Sequence, residues 1–288
     1  MITRRCHHRT YLLRPCRRTN HIVRYVLACM LRAYGIKLHS VIAMSDHWHL
    51  VLTDPEGRIV EFQRDCHHFI AKALNAAFDD SESLWNSSQT HHLECVEPDD
   101  LIDRIGYTLA NPVRAGAVMY GERWPGVRGA WPSKPRRIRR PPGFFRGEDD
   151  GGRWPEEVEL VFSRPPGFEH LSDEQLAARI EDAVERYEKE ARERRAAEGR
   201  GFQGRRAVRK MSRHARARSE EARGGVRPRV ACRNPRLRRE RLEFLRRWLQ
   251  AYLEARQRWL AGEREVLFPA GTYQLRVYHG AACVPDSG

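Results

Sequence analysis

The run VIAMSDHWHLVL, residues 41–52, decides how this chain is read. In a β-strand residues two apart share a face, so His47 and His49 project to one side and Trp48 to the other. One parity carries Ile42, Met44, Trp48, Leu50 and Leu52, a continuous apolar face interrupted by a single polar residue, Asp46. The other parity carries Val41, Ala43, Ser45, His47, His49 and Val51 and is less apolar. Such a pattern predicts a strand of an antiparallel sheet with helices packed on one face and a polar site on the other. Two imidazoles on that polar face are candidate ligands for one metal ion.

A second motif, YTLAN, places Tyr107 and Asn111 four residues apart. The segment Glu97-Pro98-Asp99-Asp100 before it has the chemistry of a helix start, with proline in the first turn and acids at the positive end of the dipole. Leu101, Ile102, Ile105 and Leu109 then recur at helical spacing. Tyr107 and Asn111 lie roughly 150° from the centre of that stripe, away from the main apolar partner of the helix. Pro112 disfavours helical backbone at Asn111 and predicts that the helix ends there.

Working outward, Cys6–Leu13 reads as a first strand and Thr19–Tyr34 as a helix with Ile22, Val23, Val26, Leu27, Met30 and Leu31 on its apolar face. A second helix is predicted over Ile59–Phe78, and a short strand around His92–Val96 leads into the tyrosine helix. Alternation of strand and helix over about 120 residues predicts an α+β fold with helices on one face of a small antiparallel sheet. Residues 1–132 form this expected domain. Residues 133–170 are dense in Pro, Gly and Arg and read as a tail wrapping the core or a linker. Residues 171–288 read as a basic, largely helical extension: a helix over Leu171–Ala197 with Ser172 as N-cap, a basic run over Gly199–Pro235, a helix over Arg236–Leu260, and a strand or extended arm within Glu265–His279, where Tyr273, Leu275 and Val277 alternate.

The formal net charge of +14 is uneven. Residues 1–132 hold 16 basic against 14 acidic side chains, and residues 133–288 hold 36 against 24. The densest stretch, Gly201–Arg247, has 17 Lys and Arg against 4 Glu, a composition suited to a polyanion and equally to a solubilising disordered segment. Seven cysteines without a C-x-x-C pair argue against a zinc ribbon and a disulfide framework. The N-terminus lacks the apolar run of a signal peptide, and no apolar span reaches membrane length, so a cytoplasmic protein is expected.

Cleavage of a phosphodiester by tyrosine needs a phenol in line with the phosphate and a charge sink for the transition state. A divalent ion held by two imidazoles and an amide oxygen would serve as that sink, and neutral ligands leave its charge undiminished. SDHWHLVL resembles the His-hydrophobe-His motif, and YTLANPVRAGAV the Tyr-x-x-x-Asn-Pro-Val-x-Ala-Gly segment, of the single-tyrosine transposases of insertion sequences, especially the REP-associated tyrosine transposases. The likeness extends through LRAYGIKLHS and the LWNSS turn at Leu84–Ser88 and covers about residues 1–132. It departs from the common pattern at Ser45-Asp46, where Pro-Asn usually precedes the first histidine; Asp46 could add an acidic ligand, support a ligand from behind, or fill the turn, and filling the turn is the reading favoured.

The resemblance implies a ferredoxin-like core, a homodimer, and binding of single-stranded hairpin DNA. It further implies Tyr107 as nucleophile of a 5′-phosphotyrosine intermediate, with His47, His49 and Asn111 as ligands of Mg2+ or Mn2+. The competing expectation is a domesticated, catalytically silent protein that binds single-stranded or hairpin DNA. The adjacent pairs His7-His8, His67-His68 and His91-His92 cannot aim both rings at one ion and read as surface or nucleic-acid contacts. Trp85, Trp124 and Trp131 read as core or edge packing rather than base-stacking platforms.

Overall fold

The computed structural model describes residues 1–87, 90–144, 152–217 and 229–285. Its chain order is β1 (Ile2–Arg5), α1 (Arg17–Tyr34), β2 (Lys37–Ala43), β3 (His47–Thr53), α2 (Ile59–Phe78), β4 (His91–His92), β5 (Glu94–Cys95), α3 (Pro98–Leu109), α4 (Asn111–Arg114) and β6 (Arg128–Ala130). Strands pair antiparallel in the order β4-β1-β3-β2-β6. The βαββαβ succession in the order β4-β1-β3-β2 is the ferredoxin-like arrangement, and β6 widens it by one strand. The α+β class expected from the sequence is the observed one.

The run 41–52 is a hairpin rather than a single strand. Met44, Ser45 and Asp46 make the turn, closed by Met44 N–H donating to the His47 carbonyl at 2.8 Å. Ala43 pairs with Trp48 and Ile42 with His49, so the apolar parity changes at the turn. Val41, Ala43, Trp48 and Leu50 share a cluster with Val23, Val26, Leu27 and Met30 of α1 and Phe62, Cys66 and Ile70 of α2. Burying one such side chain as completely as Leu50 contributes about 2 kcal/mol.

The histidine face is covered too. Val51 and Ala130 pack with Leu101, Ile102, Ile105 and Leu109 of α3, which is backed in turn by Leu176, Ile180 and Ala183. Ile42, on the histidine side, joins Met44, Ala117, Val118, Trp124 and Val208.

The first strand lies earlier than expected. Ile2–Arg5 pair with Leu50–His47 of β3, whereas Cys6–Leu13 hold a 3-10 turn at His7–Arg9 with His8 and Arg9 at positive φ, which no strand tolerates. Helix α2 spans the predicted residues, and α1 begins at Arg17, where Cys16 accepts from Thr19 N–H.

After β6, β7 (Arg136–Arg139) pairs antiparallel with β8 (Glu157–Leu160). Ile138, Trp154, Val158 and Leu160 enter the cluster of α1 and α2, so this stretch wraps the core. Next come α5 (Asp173–Ala197), α6 (Arg205–Lys210), β9 (Val230–Ala231), α7 (Pro235–Leu260) and α8 (Tyr273–His279). The Ser172 side chain accepts from Gln175 N–H, as an N-cap does. The basic run is partly docked, through Val208, through Arg213 stacked 3.6 Å from Phe78, and through β9 paired with β5; residues 218–228 of it lie outside the described residues. Ser88 of the LWNSS turn lies outside them as well.

The arm expected at the end is corrected: Tyr273–His279 is a helix, closed by Gly280 at φ 63°. Arg276 N–H reaches back to the Thr272 carbonyl, a local turn that needs no sheet edge. No helix among the described residues is long and apolar enough to cross a membrane.

Helices α3 and α5 cross closely at Gly106, where an added Cβ would stand 2.8 Å from the backbone carbon of Ala183. Gly106→Val is therefore expected to lower the unfolding free energy by about 1–3 kcal/mol in urea titrations. An unchanged midpoint would contradict the close crossing.

Candidate active site

His47 stands at the start of β3 and His49 two residues on, so the pleat sends both to the face beneath α3. Their ring centroids are 4.9 Å apart. Each imidazole is fixed through Nδ1. Thr3 on the neighbouring strand, paired directly with His49, brings its hydroxyl oxygen within 2.7 Å of His49 Nδ1. The Asp46 carboxylate accepts from His47 Nδ1 at 2.7 Å. With Nδ1 so occupied, Nε2 is the atom each ring has for a ligand, the usual way an outer partner sets tautomer and orientation. Asp46 therefore does more than fill the turn. Burial acts to raise its pKa, but the hydrogen bond and charge of His47, with Arg9 3.9 Å away, hold it below the usual carboxylate range.

His49 is buried, and burial, followed by coulombic coupling to His47, Arg5 and Arg114, pushes its pKa well below the ordinary value. Such a ring is neutral near pH 7, as a metal ligand must be.

Tyr107 is half-buried on α3, its ring edge-on to His49 with centroids 5.9 Å apart. The Arg114 guanidinium lies 4.1 Å from the Tyr107 ring centre and that of Arg104 at 5.1 Å. On its far side stands Tyr187 of α5, also edge-on, at 5.8 Å. The face of α3 opposite its apolar stripe thus meets both the imidazoles and a second helix.

Asn111 is buried, one turn beyond Tyr107. Helix α3 stops at Leu109 and α4 starts at Asn111 with Pro112 in its first turn, so the break falls before Asn111. Among the described residues no hydrogen bond joins the Asn111 amide to either imidazole. The structure brings His47, His49 and Tyr107 together; of Asn111 it shows burial at the start of α4, one turn further along the chain.

In the sequence Leu176, Ile180, Val184 and Tyr187 recur at steps of three and four, which marks one packing face of α5 and no role at the site. The Tyr187 hydroxyl donates to Asp103 Oδ2 at 2.8 Å, Arg186 reaches Asp103 Oδ1 at 2.8 Å, and Arg104 and Arg233 bind the same carboxylate. This network ties α5 and the chain after β9 to the tyrosine helix. The amphipathic spacing of Leu176, Ile180, Val184 and Tyr187 was the signal that α5 needs a partner, but nothing in it named α3.

His67 is corrected from a surface contact to a core residue. Its Nε2 accepts from Trp48 Nε1 at 3.2 Å, and burial pulls its pKa down to about 3. Trp85, Trp124 and Trp131 are buried, as packing residues should be.

A separate group, Glu97, Asp100 and Cys232, has ligand-type atoms within 4.8 Å of one another. Glu97 and Asp100 form the capping box of α3, and Asp100 also accepts from Arg233 N–H at 3.0 Å, so the cluster is accounted for as a helix start. Searches against protein-family models, curated proteins and solved structures found no match to this chain.

Burial acts to raise the Asp103 pKa, but hydrogen bonds from Arg186, Tyr187 and Arg104 hold it far below the usual carboxylate range. A depressed folded pKa gives stability that is present above the unfolded value of about 4 and lost as pH falls below it. Asp103→Asn is expected to cost about 3 kcal/mol at neutral pH, because it leaves arginines beside a buried uncharged amide. The deficit should shrink towards pH 3 in urea titrations; a deficit independent of pH would contradict the ionic role.

Proposed function

We propose that this chain is a metal-dependent single-tyrosine DNA strand transferase that cleaves and rejoins single-stranded hairpin DNA through a 5′-phosphotyrosine intermediate. The observation that carries the reading is the placement of the Tyr107 ring against His49, itself 4.9 Å from His47, inside a ferredoxin-like α+β core. The resemblance of SDHWHLVL and YTLANPVRAGAV to the single-tyrosine transposases supports the same chemistry.

The donor set suits a divalent ion, Mg2+ or Mn2+: the two imidazoles would bind it through Nε2, and the Asn111 amide oxygen would be the third ligand. When bound, the ion would withdraw charge from the scissile phosphate. The chain's own residues do the rest. The phenol oxygen of Tyr107 attacks phosphorus and loses its proton to water, the bond to the 3′ oxygen breaks, and that oxygen takes up a proton as a free hydroxyl. Attack by a 3′ hydroxyl on the phosphotyrosine reverses these changes and rejoins the strand. Arg114, stacked over the ring, holds the phenol and places a cation beside the incoming phosphate.

Because Tyr107 already touches His49 of its own chain, the contact favours a nucleophile that serves its own subunit's imidazoles, also within a homodimer.

Incubated with labelled hairpin DNA and Mn2+ or Mg2+, the protein is expected to give a denaturation-resistant protein–DNA adduct. Tyr107→Phe should abolish it, and His47→Ala should reduce it at least about 100-fold, the scale of losing transition-state charge stabilisation. Salt-sensitive binding without any adduct would leave the catalytically silent binding protein as the reading.

A further inference from the structure

A groove of about 720 Å³ lies between α1, β7 and α6. Six arginines line it, Arg17, Arg24, Arg136, Arg137, Arg139 and Arg209, and no acidic residue does. Arg137 and Arg139 are tied to β8, with Glu159 3.2 Å from Arg137 and Glu157 3.9 Å from each. Among the described residues Arg17, Arg24, Arg136 and Arg209 have no carboxylate in ion-pair reach.

Arg24 is half-buried, and burial together with the nearby charge of Arg136 pulls its pKa down to about 10. Folding gains nothing from holding like charges together, so their convergence calls for a counter-charge from outside the chain. The most basic stretch of sequence, Gly201–Arg247, contributes only Arg209 to this groove.

The shape of the charge indicates the ligand. Arg17 and Arg24 are seven residues apart on one face of α1, about 10 Å along its axis, and Arg136 and Arg209 stand on other walls. Cations strung along a groove suit successive phosphates of a chain better than one isolated anion. Among the described residues of the lining His21 is the one aromatic ring, held at Nε2 by the Arg139 carbonyl at 2.8 Å, and no Phe, Tyr or Trp joins it, so the groove offers charge for a backbone rather than a set of stacking platforms for bases.

Its position is informative as well. Leu13 N–H donates to the Ser45 carbonyl and Cys6 N–H to the Asp46 carbonyl, which ties the segment before α1 to the turn preceding His47. The Pro15–Arg17 end of the groove therefore lies at the sheet end from which His47 projects.

We propose that this groove binds the phosphodiester backbone of a nucleic acid independently of sequence. The site does not involve Tyr107, so the test uses the full chain carrying Tyr107→Phe, in which binding is read without chemistry and stands or falls apart from the adduct experiment.

Cys16 lines the groove and reports on its occupancy. Saturating oligothymidylate is expected to slow alkylation of Cys16 by iodoacetamide several-fold, followed residue by residue by mass spectrometry. In Arg24→Gln/Arg136→Gln, checked for folding by circular dichroism, affinity should fall roughly tenfold or more at ~0.1 M salt, and the slope of log K against log salt should shrink by about 1.4. The wild-type groove needs no variant for its test: oligothymidylate that binds and leaves Cys16 alkylation unchanged would overturn the proposal. Equal protection by phosphatidylglycerol vesicles would overturn the nucleic-acid assignment.

Discussion

Everything at the site depends on a buried imidazole. His49 sits buried beneath a helix, where an unsatisfied polar ring would cost several kcal/mol, roughly 2–7 by transfer measurements. Thr3 removes that cost at Nδ1, and the register of β1 on β3 is what places Thr3 opposite His49. Slipping β1 by one residue would turn Thr3 to the other face and leave the ring without its partner. Register, tautomer and the direction of Nε2 are thus one constraint, and Tyr107 is placed against the ring that this constraint fixes.

The second half of the chain is built into this arrangement. Helix α5 packs on α3 at Gly106, stands Tyr187 beside Tyr107, and converges with Arg233 on Asp103. Residues 136–144 and 152–160 close the opposite side, where Trp154 packs edge-on against Phe69 at 4.8 Å. The nucleophile proposed for α3 would have to be held to a fraction of an ångström, and bracing from a second helix supplies that rigidity. The basic groove lies on the outer side of the same core, lined from the first half by α1 and from the second by β7 and α6.

Much of this was legible in the sequence, and the exceptions have physical causes. Helix α2 shows its full length because one apolar face is repeated without interruption from Ile59 to Phe78. The capping chemistry of Glu97 and Asp100 marks the start of α3, and Ser172 that of α5. The parity of residues 41–52 misled because the turn at Met44–Asp46 shifts the alternation, and side-chain character alone cannot show a chain reversing. Asp46, the one polar residue on the apolar parity, was the mark of that turn. His67 looked like a surface residue because its partner, Trp48, is distant in sequence. Tyr187 and Asp103 were out of reach for the same reason: their meeting is a property of the α3–α5 crossing.

The central claim is that Tyr107 is the atom-level link between protein and DNA, and peptide mapping tests it most directly. After reaction with hairpin DNA and a divalent ion, nuclease trimming and trypsin digestion, the peptide Ile105–Arg114, which contains Tyr107 as its sole tyrosine, is predicted to carry the mass of a nucleotide 5′-phosphate. An adduct on any other residue, or none on this peptide under conditions where DNA is bound, would contradict it.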